Sequence, residues 1–331
     1  MTHKFDVLGI GNAIVDILVQ VEDDFLVDHD IPKGSMQLVD EETSEKLYDK
    51  LGSAIECSGG SAANTIAGLA SMGSRAAYIG KTKNDQMGHV FDHDIKSLGI
   101  EYTTKKDESG ASTARCLVMV SPDAERTMCT YLGACVNLME ADIDEAQVAG
   151  AFVTYMEGYL WDPENAKAAF RKAMTLAHKA GRKTSISLSD SFCVGRHKQE
   201  FLHLAEHEID ILFANEEELL MLYDTRDLND AIKAVQQHCE VAAITRSAEG
   251  CIIVSAGDII TVKGNPVSDL VDTTGAGDMF AAGFLHGYTR GLDLGVCGRM
   301  GNLVASEVIT HLGARPDIDL KEYIANKLYL T

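Results

Sequence analysis

The residues best equipped for chemistry gather in Val271-Asp272-Thr273-Thr274-Gly275-Ala276-Gly277-Asp278-Met279-Phe280, which runs on into the apolar Ala281-Ala282-Gly283-Phe284-Leu285. Small residues and hydroxyls give way there to a segment that predicts a helix. Thr273 or Thr274 can cap it, and Gly275 and Gly277 leave the backbone open to a ligand. The first turn of a helix carries free N–H groups at the positive end of the macrodipole, a setting suited to phosphate. A carboxylate at Asp278 repels phosphate, but it can take the proton of a hydroxyl that attacks phosphorus. The same residues also describe an ordinary helix start with an acid in its first turn, so the segment alone leaves both readings open.

A second glycine-rich turn, Cys57-Ser58-Gly59-Gly60-Ser61-Ala62-Ala63-Asn64, opens an apolar helical run that ends at Gly73. Asn64, in the first turn after Gly59-Gly60, offers a donor and an acceptor to a polyol, or else caps its own helix. Asp16 stands among aliphatic residues in Val15-Asp16-Ile17-Leu18-Val19-Gln20-Val21. A buried acid is costly unless it is hydrogen-bonded or near water; the hydroxyl pair of a ribose or other sugar would satisfy it, as would an outward position on a sheet. Asn215-Glu216-Glu217-Glu218 opens a helix at the end of a buried strand. Glu218 can orient a water of a hydrated magnesium ion, whereas three acids at a helix start also complement its dipole. Thr245-Arg246-Ser247-Ala248-Glu249-Gly250 follows the next strand and brings hydroxyls and an arginine within reach of phosphates. Neither a GxxxxGK[ST] loop nor a GxGxxG turn after the first strand is present, so phosphate chemistry here needs another scaffold.

The elements that must position these residues alternate. Strands are predicted over 5–10, 15–21, 35–39, 76–80, 151–156, 184–188, 209–213 and 241–245. Helices are predicted over 41–51, 65–73, 86–98, 164–180, 198–206, 216–222, 228–239 and from 275. The pair 251–254 and 259–262 reads as antiparallel. Such alternation predicts a mainly parallel sheet covered by helices on both faces, in a single domain over 1–331. Ligands in such sheets sit beyond the carboxyl ends of the strands, where both glycine-rich turns can face them. Two strand-rich pieces, about 12–40 and 101–135, break the alternation. The second contains a predicted hairpin, 113–120 and 125–132 around Ser121-Pro122-Asp123-Ala124. Paired into one small sheet over the strand ends, the two pieces would form a lid.

Composition narrows the class. The 331 residues are 46% hydrophobic, enough for a large core, and 29 Lys+Arg against 50 Asp+Glu give a net charge of −21. That balance argues against a nucleic-acid or anionic-membrane surface, while an anionic small substrate needs only a local positive field. The 8 cysteines are scattered without a close CxxC pair, and the opening residues lack an apolar signal core. The expectation is a cytoplasmic enzyme with reduced thiols, no structural zinc and no membrane span.

The segment from Val271 to Phe280 resembles the C-terminal signature of the ribokinase-like (PfkB-type) carbohydrate kinases, and Ser58-Gly59-Gly60-Ser61-Ala62-Ala63-Asn64 resembles their N-terminal signature. The resemblance spans essentially the whole chain. It implies an α/β ribokinase-like fold, with a central mostly parallel sheet flanked by helices and a small β-sheet lid. It also implies ATP and Mg2+ acting on a primary hydroxyl of a nucleoside or sugar. By that resemblance Asp278 is the base, the backbone of Gly275, Ala276 and Gly277 is the anion hole, and Gly59, Gly60 and Asn64 meet the substrate. Asn215 and Glu218 match the family's NxxE element, which positions magnesium and phosphate. Thr245 to Gly250 matches its nucleotide loop, usually TxGxxG, with Ser247 in place of the middle glycine. Asn302 falls where the family places a nucleotide-contacting asparagine, and Asp272 and Thr274 match the potassium (K+) positions of some members.

Gly11-Asn12-Ala13-Ile14-Val15-Asp16-Ile17 is similar to the opening of adenosine kinase-like members, in which Asn12 and Asp16 would hold the nucleoside. Segments 187–192 and 210–216 are similar to such members too. The resemblance therefore favours conversion of adenosine to AMP in purine salvage, with Met36, Leu38, Leu132 and Cys135 as candidate lid contacts. Because Gly60-Ser61-Ala62-Ala63-Asn64 is as close to the sugar kinases, ribose, fructose or a related carbohydrate is the alternative acceptor. A non-catalytic nucleotide- or sugar-binding protein is the reading from another class, and an intact Asp278 opposes it. Monomer and homodimer are both compatible with the resemblance.

Overall fold

A computed structural model describes residues 3–123 and 125–328. Nine strands build the larger sheet. In spatial order they are β14 (Ile259–Val262), β13 (Cys251–Ser255), β12 (Val241–Thr245), β11 (Ile211–Asn215), β10 (Lys183–Ser187), β9 (Ala151–Glu157), β1 (Phe5–Ile10), β5 (Ala76–Ile79) and β6 (Glu101–Tyr102). All neighbours from β12 to β6 are parallel, and β12, β13 and β14 pair antiparallel, as the sequence predicts for 251–254 and 259–262.

The strands are apolar almost throughout because both faces of the sheet are covered. On β11, Ile211 and Phe213 enter one core while Leu212 and Ala214 enter the other. The first core is closed by α3 (Ser61–Ser71), α4 (Gln86–Ser97), α10 (Ala276–Tyr288), α11 (Leu294–Val308) and α12 (Leu320–Leu328). The second is closed by α5 (Glu145–Gly150), α6 (Glu164–Lys179), α7 (Ser191–His207), α8 (Glu216–Leu222) and α9 (Leu228–His238). This is the expected α/β arrangement, a mostly parallel sheet flanked by helices on both faces.

The second sheet has five strands in the order β3 (Met36–Leu38), β8 (Arg126–Tyr131), β7 (Ala114–Val120), β2 (Ile14–Gln20) and β4 (Ile55–Gly59). The two strand-rich pieces do pair, β2 running parallel to β7, and β7 and β8 form the predicted hairpin. Ala124 of its expected turn lies outside the described residues. Two details depart from expectation. Residues 55–59 form a strand antiparallel to β2 rather than a turn, and Glu101–Tyr102 joins the larger sheet. One face of the second sheet packs Val15, Ile17, Leu117 and Met119 together with Leu26 of α1 (Asp23–Asp28) and Leu47 of α2 (Glu41–Tyr48).

Seven cysteines are buried, Cys57 is half-buried, and all are free thiols. Among the described residues, no helix is long and apolar enough to cross a membrane.

The position of the α10 N-terminus depends on close packing of α10 against α11. A Cβ on Gly283 would lie 2.6 Å from the Met300 carbonyl oxygen and 2.9 Å from the Gly301 Cα, so backbone would have to move. Gly283→Ala is expected to lower the unfolding free energy by about 1–3 kcal/mol, the usual cost of overpacking, despite alanine's better helix propensity. Urea denaturation measures this; an unchanged midpoint would refute the close contact.

Candidate active site

Two glycine-rich helix starts face each other across the carboxyl ends of the central strands. Asp278, in the first turn of α10, accepts hydrogen bonds from two residues of α3. Ser61 Oγ donates to Oδ1 at 2.6 Å and Asn64 Nδ2 donates to Oδ2 at 3.2 Å. Gly275 is the N-cap of α10 with φ +77°, and a Cβ there would sit 2.7 Å from Ala314. The absent side chain of Gly277 faces open space. Ala276 N–H donates to the Thr273 carbonyl at 3.2 Å, while the N–H groups of Gly277 and Asp278 have no backbone partner among the described residues, a setting that suits an anion. Thr274 N–H donates to Asp272 Oδ1 at 3.0 Å and shapes the approach to it. Burial pushes the Asp278 carboxyl up to about 6, opposed by the Ser61 and Asn64 hydrogen bonds and by the charge of Arg315.

Asn12 and Asp16 enter from the junction of β1 and β2. Asn12 is buried; its backbone N–H and its Nδ2 both donate to Glu157 Oε1, at 2.8 and 2.7 Å. The other Glu157 oxygen takes the Ala62 N–H at 2.6 Å, so one carboxylate ties Asn12 to the start of α3. Burial raises Glu157 to about 7 against these bonds. The Asn12 Oδ1 is buried without a partner among the described residues, an acceptor waiting for a donor. Gly60, at φ +97°, lets α3 start against the Asn12 carbonyl, and Gly59 leaves room for the Asp16 carboxylate, which any Cβ would overlap. Asp16 is half-buried and raised to about 6 by burial, against the charges of Arg315 and Arg126.

Asp16 lies on the second face of the smaller sheet. It shares that face with Ile14, Leu18, Ala114, Cys116, Val118 and Met128. Leu132 and Cys135 belong to the same cluster, while Met36 and Leu38 extend the face from β3 at 49% and 61% exposure. Arg126 is on this face too and reaches Asp272 Oδ2 at 2.6 Å, so the face looks onto the loop that carries Asp278.

The other polar candidates line the ends of β11, β12 and β14. Asn215 caps α8, its Oδ1 accepting the Glu218 N–H at 2.8 Å. Glu218 returns the contact by accepting from Asn215 N and Nδ2, at 3.0 and 2.7 Å. Burial lifts Glu218 to about 7. Thr245 ends β12 and runs into a tight turn in which Ser247 adopts φ +49° and Gly250 φ +96°. Serine therefore takes the left-handed conformation that a glycine would favour. Arg246 pairs with Glu216 and Glu249 at 2.7 and 2.8 Å. Asn302 spends its Nδ2 on the carbonyls of Val262 and Lys263, fastening the end of β14.

Asp272 Oδ2 is shared by the Gly313 N–H at 3.1 Å and the Arg126 guanidinium at 2.6 Å.

Sequence reasoning missed Glu157, Ser61, Arg126 and Arg315 as parts of the cluster. Glu157 had a signal, an acid closing an apolar strand at its carboxyl end. Ser61 lay inside a motif already singled out, whereas the two arginines carry no local mark.

The chain matches the profile described as pfkB family carbohydrate kinase over residues 36–321, and it belongs to that family of kinases. Two solved structures resemble it over its length. A probable sugar kinase from Rhizobium etli CFN 42 is 47% identical, with a TM-score of 0.92 and 100% of both chains covered. An adenosine kinase from Sinorhizobium meliloti is 48% identical, with a TM-score of 0.90 and 98% of this chain and 99% of that chain covered. An uncharacterized sugar kinase from Archaeoglobus fulgidus is 27% identical over 249 residues, 75% of this chain and 96% of its own. The relatives' names divide between nucleoside and sugar.

The raised carboxyls have a consequence for stability. Asp16, Asp278 and Glu157 titrate near 6–7 in the folded chain and near 4 when unfolded. Between those values the folded state binds more protons, so its advantage is complete below the unfolded values and is lost as pH rises through the folded ones. The melting temperature of the ligand-free chain is expected to be higher near pH 5 than near pH 8, with Asp16→Asn flattening the slope. A melting temperature that rises over that interval would contradict these environments.

Proposed function

We propose that this chain transfers the γ-phosphoryl group of ATP to the 5′-hydroxyl of adenosine, giving AMP and ADP. The observation that carries the reading is the Asp278 carboxylate, held by Ser61 and Asn64 beside the open N-terminus of α10. The acceptor oxygen forms a bond to phosphorus as the bond to the ADP oxygen breaks, and Asp278 takes the hydroxyl proton. The N–H groups of Gly275 at the N-cap and Gly277 in the first turn, on either side of Ala276, receive the charge of the transferring group. Thr245, Ser247, Gly250, Asn215 and Asn302 lie along the side on which the nucleotide would bind.

Glu218 keeps one acceptor position on each oxygen beyond its bonds to Asn215, a set that fits a water of hydrated magnesium. Bound there, magnesium supplies positive charge to the phosphates. Glu218's part is to hold and orient that water.

Three polar groups suit the ribose: the unpartnered Asn12 Oδ1, the Asp16 carboxylate and Asn64. The apolar face around Asp16 favours a nucleoside over a bare sugar, because a flat base covers Leu18, Val118, Met128 and Leu132 whereas a sugar leaves them wet. In this reading the smaller sheet closes as a lid and keeps water from competing as acceptor. A sugar acceptor is the second reading, favoured by the same three polar groups, which a free ribose or fructose would also satisfy.

ADP release measured with adenosine, guanosine, inosine, ribose and fructose separates the two. Turnover with adenosine is expected, and turnover with sugars alone would refute the nucleoside. Ligand-induced thermal stabilisation without ADP release from any of them would refute catalysis. Asp278→Asn is expected to lower turnover about 10²–10⁴-fold while leaving the fold and ATP binding intact; unchanged turnover would remove Asp278 as the base.

A further inference from the structure

Arg315 lies in the irregular segment between α11 and α12, far from the signature residues in sequence. Its backbone is pinned to their loop. Gly313 N–H donates to Asp272, and Ala314 packs directly on Gly275. From there the guanidinium spans two helices. Nη1 donates to Asp94 Oδ2 on α4 at 3.0 Å, and Nε donates to Asn64 Oδ1 on α3 at 3.2 Å. Asp94 is itself anchored, since it also accepts the Ser58 N–H at 2.8 Å and the Ser58 hydroxyl. The Arg315 side chain is 17% exposed, and its Nη2 is buried without a partner among the described residues.

The chemistry of this contact has a direction. An asparagine amide can place either its oxygen or its NH2 at a given spot, and the two arrangements have nearly the same shape. A guanidinium has only donors and a carboxylate only acceptors. Arg315 on one side and Asp278 on the other therefore admit a single orientation, with Oδ1 toward Arg315 and Nδ2 toward Asp278. The flipped amide would set donor against donor and acceptor against acceptor. With Ser61 on Oδ1, the Asn64 NH2 on Oδ2 leaves Asp278 no freedom to rotate away from the cleft.

We propose that Arg315 is a positioning residue of the phosphoryl transfer: through the series Asp94, Arg315, Asn64, Asp278 it locks the amide of Asn64 and thereby aims the Asp278 carboxylate at the acceptor hydroxyl. The inference rests on Asp278 as the base. It differs from a purely structural tie between α4 and the loop, which would hold the fold together without governing turnover.

The test is steady-state kinetics of the full chain with ATP and whichever of adenosine and ribose the wild type phosphorylates, on Arg315→Met, Arg315→Lys, Asn64→Ala and Arg315→Met with Asn64→Ala. Arg315→Met is expected to lower kcat about 10–100-fold, the scale of a reacting group displaced by an ångström, with KM for ATP unchanged. Arg315→Lys, which keeps a charged donor, restores part of that loss. In the Asn64→Ala background, Arg315→Met is expected to cost less than about threefold, because coupled residues are not additive. Equal losses in both backgrounds, or a lower melting temperature with kcat retained, would overturn the proposal. Asp278→Asn in the same assay reports separately on the base. Retained turnover there refutes the base itself, whereas an inactive Asp278→Asn with additive Arg315 and Asn64 effects refutes Arg315 alone.

Discussion

A carboxylate suspended between two helix N-termini is the constraint on which the rest of this structure depends. Asp278 belongs to α10 but is held by Ser61 and Asn64 of α3, over 200 residues earlier in the chain. Both helices begin in glycine-rich turns because their first turns must approach other backbone. Gly60 starts α3 against the Asn12 carbonyl, and Gly275 starts α10 against Ala314. Behind them, α10 is pressed onto α11 through Gly283 and Gly301, whose missing side chains set the depth of the contact. Shift either helix by a fraction of its diameter and the two hydrogen bonds to Asp278 are lost together.

The site concentrates negative charge in a place where the fold would be better off without it. Asp16, Glu157, Glu218 and Asp278 are all raised by burial, three of them in one cluster and the fourth at the start of α8. Each is tolerated for a different local reason. Glu157 is satisfied by backbone and amide donors from the loop after β1 and from the first turn of α3, Glu218 by its reciprocal cap with Asn215, and Asp278 by α3. Asp16 has the fewest internal contacts and lies on an apolar sheet face, which makes it the acid most in need of a ligand. Arg126 and Arg315 bring the positive charge to this acidic cleft, one from the smaller sheet and one from the C-terminal segment.

The smaller sheet shows how one alternating pattern serves two purposes. Odd-numbered positions of β2 and β7, such as Val15, Ile17 and Leu117, are sealed under α1 and α2. The even-numbered positions, Ile14, Leu18, Cys116 and Val118, form a separate apolar cluster around Asp16. A register slip of one residue would bury Asp16 under the helices and turn the other face toward the cleft. The antiparallel edge strand β4 fixes that register and ends in Gly59, where the Asp16 carboxylate needs the space.

Much of this was legible in the sequence, and the reason is locality. Helix starts, glycine turns and apolar strands are decided by residues a few positions apart. The α/β alternation, the hairpin, the two glycine-rich helix starts and the acid at Asp278 could therefore be read along the chain. What the sequence left open was every relation that depends on where those elements finally pack. That Asn12 would share a carboxylate with Ala62 through Glu157, or that Arg126 would meet Asp272, follows from which strand lies beside which. Arg315 is the clearest case. It stands in an unremarked Gly-Ala-Arg-Pro segment, and its link to Asn64 spans 251 residues. No periodicity or spacing encodes a contact of that range, because the chain's folded path alone brings the two side chains within a hydrogen bond of each other.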